Sequence, residues 1–179
     1  MNEILIFGYL FVDYNLKALY KPQEYAHASA ATYLRNYWLE VIYILSKFLL
    51  YPLQWVNLSL NTRSENDTAI LLVHGYCRNQ TDWLWMRKQL QSTGCPIFCV
   101  NLKPMLGPIQ EIAATSLAPK IAKIKEQTKC KHIVLIAHSM GGLVCGYYSE
   151  FMDDQNLIKA VIGIGTPFYG TKIAIAGPG

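Results

Sequence analysis

Short apolar runs recur along the chain from residue 67 onward, and longer segments with helical periodicity lie between them. The runs are rich in Val, Ile and Leu and are bounded by glycine, proline or polar residues, which is typical of buried strands. Strands that alternate with helices indicate a mostly parallel sheet covered by helices, so the sequence predicts an α/β fold. The predicted strands are residues 68–73, 96–100, 132–137 and 158–165.

Three helices are predicted between these strands. The first runs from residue 82 to Gly94, since glycine commonly ends a helix. The second covers residues 108–125, where apolar residues recur at helical spacing. Pro119 is expected to kink this helix or to restart it. The third, residues 142–152, follows the third strand almost directly.

The first sixty residues are more apolar than the rest. Residues 4–12 form an uncharged run that is too short to span a bilayer. Glu3 is the only early charge, so we expect no cleavable signal peptide. Residues 41–60 are long enough to cross a bilayer. Lys47 makes the free energy of insertion less favourable by roughly 3 kcal/mol, and the apolar residues offset only a similar amount. This segment fits a membrane span, a helix lying on the membrane, or a soluble cap.

The polar segment at residues 61–67 is typical of a linker. We therefore predict an apolar, helical N-terminal region with its linker at 1–66 and an α/β domain at 67–179. The length of 179 residues suits little more than one domain. The net charge of +4 is mild and no basic run is interleaved with aromatic residues, which argues against a nucleic-acid partner.

Metal and cofactor chemistry has little support in the sequence. Gly163 and Gly165 suggest a dinucleotide-binding loop, but Phe168 stands where the third glycine is needed. The cysteines are scattered and none has the spacing of a zinc or redox pair, so we expect reduced, buried thiols. We expect no cofactor and no metal. The cysteines are Cys77, Cys95, Cys99, Cys130 and Cys145.

Residues 133–142 carry the most informative pattern: an apolar strand, a tight turn and the start of a helix, with Ser139 at the turn. This is the pattern of a nucleophile elbow, in which the residues flanking the serine must be small because strand and helix approach closely. Ala137 and Gly141 satisfy that requirement. Ser139 is therefore the predicted nucleophile.

A serine nucleophile needs donors that stabilise the oxyanion formed when it attacks a carbonyl. One predicted donor is the backbone N–H of Met140, which follows the serine at a helix start. The second is the backbone N–H of Tyr76, in the loop after the first strand. Gly75 allows that loop to come close to the site.

Together these motifs resemble the bacterial lipases and esterases of the α/β-hydrolase superfamily, in which the oxyanion strand ends in His-Gly-Tyr. The resemblance runs from Ala69 to the end of the chain. It includes Val100-Asn-Leu102 and the segment Gly165-Thr-Pro-Phe-Tyr-Gly-Thr171, in which Phe168 and Tyr169 replace two histidines.

The resemblance implies a triad in the chain order serine, acid, histidine. No histidine follows His138, so the triad acid and base are expected to be absent from this chain. Residues 67–179 are then the front half of an α/β-hydrolase, truncated before both residues. Some family members carry N-terminal hydrophobic helices, which agrees with residues 1–60.

Groups within the chain are poorer candidates for the missing base and acid. His138 adjoins the serine, but the second position of an elbow normally points its side chain away from the hydroxyl. His74 is better suited to ordering the oxyanion loop through a hydrogen bond. Asp153 and Asp154 follow the third helix and are expected to form a surface carboxylate pair.

Three functions fit this sequence. The first is a serine carboxylester hydrolase that acts on lipid or other apolar acyl esters through an acyl-enzyme, inactive or weak as the truncated chain. The second is a non-catalytic, membrane-associated remnant with hydrolase topology. The third is an acyltransferase or thioesterase on the same scaffold. The expected location is at a membrane through residues 41–60, or otherwise the cytoplasm.

Overall fold

The computed structural model describes residues 66–104 and 107–170, together with scattered positions between residues 31 and 59. The chain divides into two compact units, Met1–Leu50 and Tyr51–Gly179. The uncharged run at residues 4–12 lies outside the described residues, as does most of the polar segment at residues 61–67.

In the N-terminal unit, the described positions between residues 31 and 50 are helical. Several of their apolar side chains are exposed and recur at intervals of three or four residues, which places them on one face of a helix. Across the described part of the chain, no helix combines the length and apolarity needed to cross a bilayer. The exposed side chains on this face are Leu34, Trp38, Ile42, Leu45 and Leu49.

The C-terminal unit is built on a sheet of four parallel strands in the order β2-β1-β3-β4. This confirms the predicted α/β class with a parallel sheet flanked by helices. All four strands lie within one residue of the predicted boundaries. They are β1 (Thr68–Val73), β2 (Ile97–Val100), β3 (His132–His138) and β4 (Ile158–Ile164).

Helices connect these strands, as parallel pairing requires. A 3₁₀ turn at Gln80–Trp83 leads into the first helix, and Gly94 follows it with a positive φ of 69°, as a helix-ending glycine should. The fourth helix starts two residues before the predicted position, because Ser139 itself is its N-cap. The helices are α1 (Leu84–Leu90), α2 (Ile109–Ile112), α3 (Ala118–Thr128) and α4 (Met140–Phe151).

Where a kink or a restart is expected at Pro119, the helix changes type just before the proline while its backbone stays right-handed helical at Leu117 and Ala118. A single π-helical segment, Ala113–Leu117, separates α2 from α3, and Pro119 lies in the first turn of α3. Proline is tolerated there because its missing N–H would have no partner in the helix.

Alternate residues of the central strands face two separate cores, as the twofold periodicity of a strand requires. On one face, Leu71, Val73 and Leu135 pack beneath α2, α3 and α4. On the other face, Ile70 and Leu72 pack against Trp83 and Leu58. Burying an aliphatic side chain stabilises a fold by roughly 1.5–3 kcal/mol, so these two layers hold the sheet and fix its register.

Residues 55–59 belong to the C-terminal unit rather than to a separate N-terminal region. The Gln80 Nε2 donates to the Val56 carbonyl at 2.8 Å, and the Arg87 guanidinium donates to the Leu58 carbonyl. Leu58 is buried in the second core. These contacts agree with the division of the chain between Leu50 and Tyr51.

Candidate active site

The turn between β3 and α4 holds Ser139 in a strained conformation. Its φ of 51° and ψ of −126° lie in a region that non-glycine residues seldom adopt, at a cost of order 1–3 kcal/mol. Hydrogen bonds maintain the turn: the Ser139 N–H donates to the Ile164 carbonyl at 2.9 Å, and the Gly142 N–H donates to the Ser139 carbonyl at 3.0 Å. This strand–turn–helix geometry is that of a nucleophile elbow.

Behind the serine, α4 touches the backbone of β1. A Cβ atom added at Gly141 would lie 2.4 Å from the His74 carbonyl oxygen and 2.9 Å from the Val73 carbonyl oxygen. Ala137, at the preceding small position, is fully buried. The structure thus gives the physical reason for the glycine: a side chain at Gly141 would push the helix away from the strand that carries the loop opposite Ser139.

The loop after β1 passes directly beside the serine. A Cβ atom added at Gly75 would lie 3.1 Å from both the Ser139 Cβ and the His138 Nδ1. Tyr76 is the next residue of this loop, and Met140 is the first residue of α4, where an N–H has no partner within the helix. The structure therefore brings together both predicted donor residues and the predicted nucleophile.

His74 is buried, and both of its ring nitrogens are engaged. The Leu102 N–H donates to Nε2 at 2.9 Å, so Nε2 carries no proton. The Nδ1 then carries the proton and donates to the Gly75 carbonyl at 2.9 Å. Burial lowers the pKa of His74, which keeps the ring neutral. With both nitrogens occupied, His74 is suited to ordering the loop and poorly suited to accepting a serine proton.

The remaining candidates lie in different places. His138 is the last residue of β3 and its ring lies against Gly75, beside the site. Asp153 lies at the amino end of β4, where its carboxylate accepts the backbone N–H groups of Leu157 and Ile158 at 2.9 and 2.8 Å. Because Ser139 follows the carboxyl end of β3, roughly 20 Å of strand separates the two edges. Asp153 therefore holds a loop together, a role that the sequence did not indicate.

In the part of the chain that the structure describes, no three His, Cys, Asp or Glu side chains are grouped to hold a metal ion. The described cysteines are free thiols. Burial raises the pKa of Cys99 to about 11 and that of Cys145 to about 12. These two thiols are protonated at neutral pH and are therefore poor nucleophiles.

Burial of a neutral His74 predicts a pH dependence of stability. Its pKa is lowered from 6.5 in the folded protein, so the unfolded chain binds the extra proton first as the pH falls. The free energy of unfolding should drop as the pH is lowered from about 7 to 5, with at most about 1.4 kcal/mol per pH unit from this group. The His74→Gln variant, which keeps an acceptor for Leu102, should show a shallower slope in urea unfolding. Equal slopes in the two proteins would contradict this account.

The α/β-hydrolase-fold family profile matches residues 68–174. The chain belongs to this family, and the resemblance inferred from its motifs is confirmed. It is 35% identical to triacylglycerol lipase 2 of Saccharomyces cerevisiae over 96 residues, which cover 51% of this chain and 29% of the yeast protein.

The fold is also similar to that of the Bacillus licheniformis lipase BlEst2. For the mature form the TM-score is 0.54 at 24% identity, covering 60% of this chain and 44% of that one. For the propeptide form the TM-score is 0.54 at 23% identity, covering 63% of this chain and 24% of that one. The chain thus spans less than half the length of each of these relatives.

Proposed function

We propose that this chain carries the nucleophile and oxyanion hole of a serine carboxylester hydrolase. The observation that supports this most strongly is the strained Ser139 at a β3–α4 turn, with Gly75 of the neighbouring loop packed against it. Strain at such a turn is retained when it exposes a nucleophile. The similarity to a protein named as a triacylglycerol lipase points in the same direction.

In the proposed reaction the Ser139 Oγ attacks the ester carbonyl carbon, and its proton passes to a histidine that is not among the described residues. The carbonyl oxygen becomes an oxyanion, which accepts hydrogen bonds from the Tyr76 and Met140 N–H groups. The C–O bond to the alcohol then breaks, the alcohol takes the proton, and an acyl-enzyme remains. Water, deprotonated by the same histidine, releases the carboxylic acid and restores the serine.

The proposed substrates are lipid or other apolar acyl esters. Supporting this, exposed aromatic side chains lie on the segment that follows β4, at the same sheet edge as the serine. They are Phe168 and Tyr169, and Ile164 is also exposed at the end of β4. The named activities of the yeast and bacterial relatives, both lipases, agree with this substrate class.

An acyltransferase or thioesterase on the same scaffold would form the same acyl-enzyme. A non-catalytic remnant would form no acyl-enzyme. The proposal is tested on nitrophenyl esters of increasing acyl length with a chain that continues past residue 179 and supplies the acid and the histidine, called the full-length protein below. We expect turnover, while residues 1–179 alone should show only residual catalysis, roughly 10³–10⁴ over water. Turnover by residues 1–179 at several per second would contradict the proposed base. Acyl transfer to an added alcohol in preference to water would favour the transferase.

We further propose that the protein associates with membranes through its N-terminal unit and residues 41–60, lying on the surface. The exposed apolar face that includes Trp38, Ile42 and Leu45 supports this, since such a face binds the interface between headgroups and acyl chains. In a vesicle flotation experiment, the full-length protein should float with the lipid vesicles. A form that lacks residues 1–50 should not. If both forms are instead recovered in the fraction without vesicles, the result contradicts membrane association and supports the alternative of a soluble, cytoplasmic protein.

A further inference from the structure

The loop that carries the proposed oxyanion donor, residues 74–79, is fastened at both ends to the turn after β2. At its start, the Leu102 N–H donates to the His74 Nε2 at 2.9 Å. Just beyond its end, the Gln80 N–H donates to the Asn101 Oδ1 at 2.8 Å. These bonds join residues that are 28 and 21 positions apart in the sequence. Both bonds lie at the carboxyl ends of the strands, where Ser139 also lies.

The parallel register of the sheet places this turn where it can brace the loop. Val73 pairs with Val100 as the last residues of β1 and β2. The residues that follow, His74 and Asn101, therefore leave adjacent strands side by side at the same edge. The brace is a direct consequence of the strand order.

The braced loop is not in a relaxed conformation. Cys77, a non-glycine residue, has a φ of 52°, which costs of order 1–3 kcal/mol and persists only when the surroundings hold it. Within the loop, the Arg78 N–H makes a long bond of 3.3 Å to the Gly75 carbonyl. The Asn79 side chain caps the following 3₁₀ turn through the Thr81 N–H at 2.9 Å. The bond from Gln80 to Asn101 thus closes a strained segment that contains Tyr76.

We propose that Asn101 is a positioning residue that holds the oxyanion loop in place through the Gln80 N–H. This rests on the proposed function, because it assigns a role to the loop in that reaction. Asn101 acts through the loop backbone and not on the substrate. Removing its acceptor leaves the Gln80 N–H without this partner and allows the strained loop to relax. The Tyr76 N–H then moves relative to the oxyanion, which forms only in the transition state.

The expected effect is therefore on kcat rather than on KM. Loss of one oxyanion donor typically lowers kcat by 10²- to 10³-fold, and a displaced donor loses part of that. In the full-length enzyme, Asn101→Ala should lower kcat by roughly 10- to 100-fold with KM changed by less than about 3-fold. The affinity for a trifluoromethyl ketone, which forms an oxyanion on the serine, should fall by the same factor as kcat.

Two further variants separate positioning from general damage. Asn101→Asp keeps an acceptor oxygen for the Gln80 N–H and should restore most of kcat. Asn66→Ala removes an asparagine that also accepts a backbone N–H, that of Thr68 at 3.1 Å, but at the opposite edge of the sheet. It should leave kcat and ketone affinity unchanged. If Asn101→Ala does not fold, Asn101→Ser, whose shorter side chain cannot reach the same N–H, is measured instead.

An alanine or serine variant with parental kcat and ketone affinity would overturn the proposal, as would an aspartate variant no better than the alanine. Protection of the loop amides from hydrogen exchange gives a readout independent of turnover: it should fall in Asn101→Ala and be regained in Asn101→Asp. A different result is expected if the proposed function itself is wrong. In that case the parent enzyme has no turnover, or its turnover survives Ser139→Ala.

Discussion

Replacing Ser139 by alanine in the full-length protein should lower ester hydrolysis by roughly 10⁴- to 10⁶-fold, the range seen when a nucleophile that acts together with its base is removed. The alanine has no oxygen to attack the carbonyl and cannot form the acyl-enzyme. The proposed oxyanion donors are backbone N–H groups of Tyr76 and Met140, which this substitution leaves in the chain. Alanine also fits the turn without additional bulk, although its positive φ of 51° remains strained.

The measurement is kcat/KM on a short-chain nitrophenyl ester, with the thermal midpoint as a check on folding. Ser149→Ala is the matched control, because it removes a half-buried hydroxyl from α4, nearly three helical turns beyond Ser139. That variant should retain parental turnover. Activity above a tenth of the parent in the Ser139→Ala protein would show that another group is the nucleophile.

The sequence predicted the elements whose signals are local. Each strand is a mostly apolar run, interrupted in β4 by Lys159, and the elbow combines such a run with Ser139 between small residues, so its geometry follows from neighbouring positions. The start of α4 was placed two residues late, because Gly141 and Gly142 weaken helix propensity. Tertiary packing against β1 requires at least the first of these glycines and overrides that weakness.

What the sequence did not predict depends on contacts between distant segments. Asn101 is one polar residue after a strand, and only strand pairing brings it to Gln80. Leu58 was assigned to the region before the domain, since nothing local shows that it is buried beside Trp83. The same holds for Thr166: its hydroxyl lies 2.0 Å from where a Cβ would stand on Gly142, which links the segment after β4 to the elbow helix.

Gly141→Ala should destabilise the protein by about 3 kcal/mol, near the upper end for added core volume. Its Cβ would stand 2.4 Å from the His74 carbonyl oxygen and 2.9 Å from that of Val73, and both neighbours are buried backbone at the end of β1. A flexible side chain could move aside, but here α4 must separate from β1. The shift would also displace Ser139 from the oxyanion loop, so turnover should fall together with stability.

Gly146→Ala on the same helix is the matched control with the opposite expected sign. Among the residues that the structure describes, its Cβ would meet only the Phe168 Cε1, at 4.0 Å, which is ordinary contact. Alanine is favoured over glycine in a helix interior by roughly 0.5–1 kcal/mol, so this variant should be neutral or more stable. Urea unfolding of the full-length proteins compares the two. If their free energies of unfolding agree within about 0.5 kcal/mol, the close approach of α4 to β1 does not limit residue size at position 141. A large loss of stability and of turnover confined to Gly141→Ala instead means that the close approach of α4 to the end of β1 is needed to hold the proposed nucleophile beside the proposed oxyanion loop.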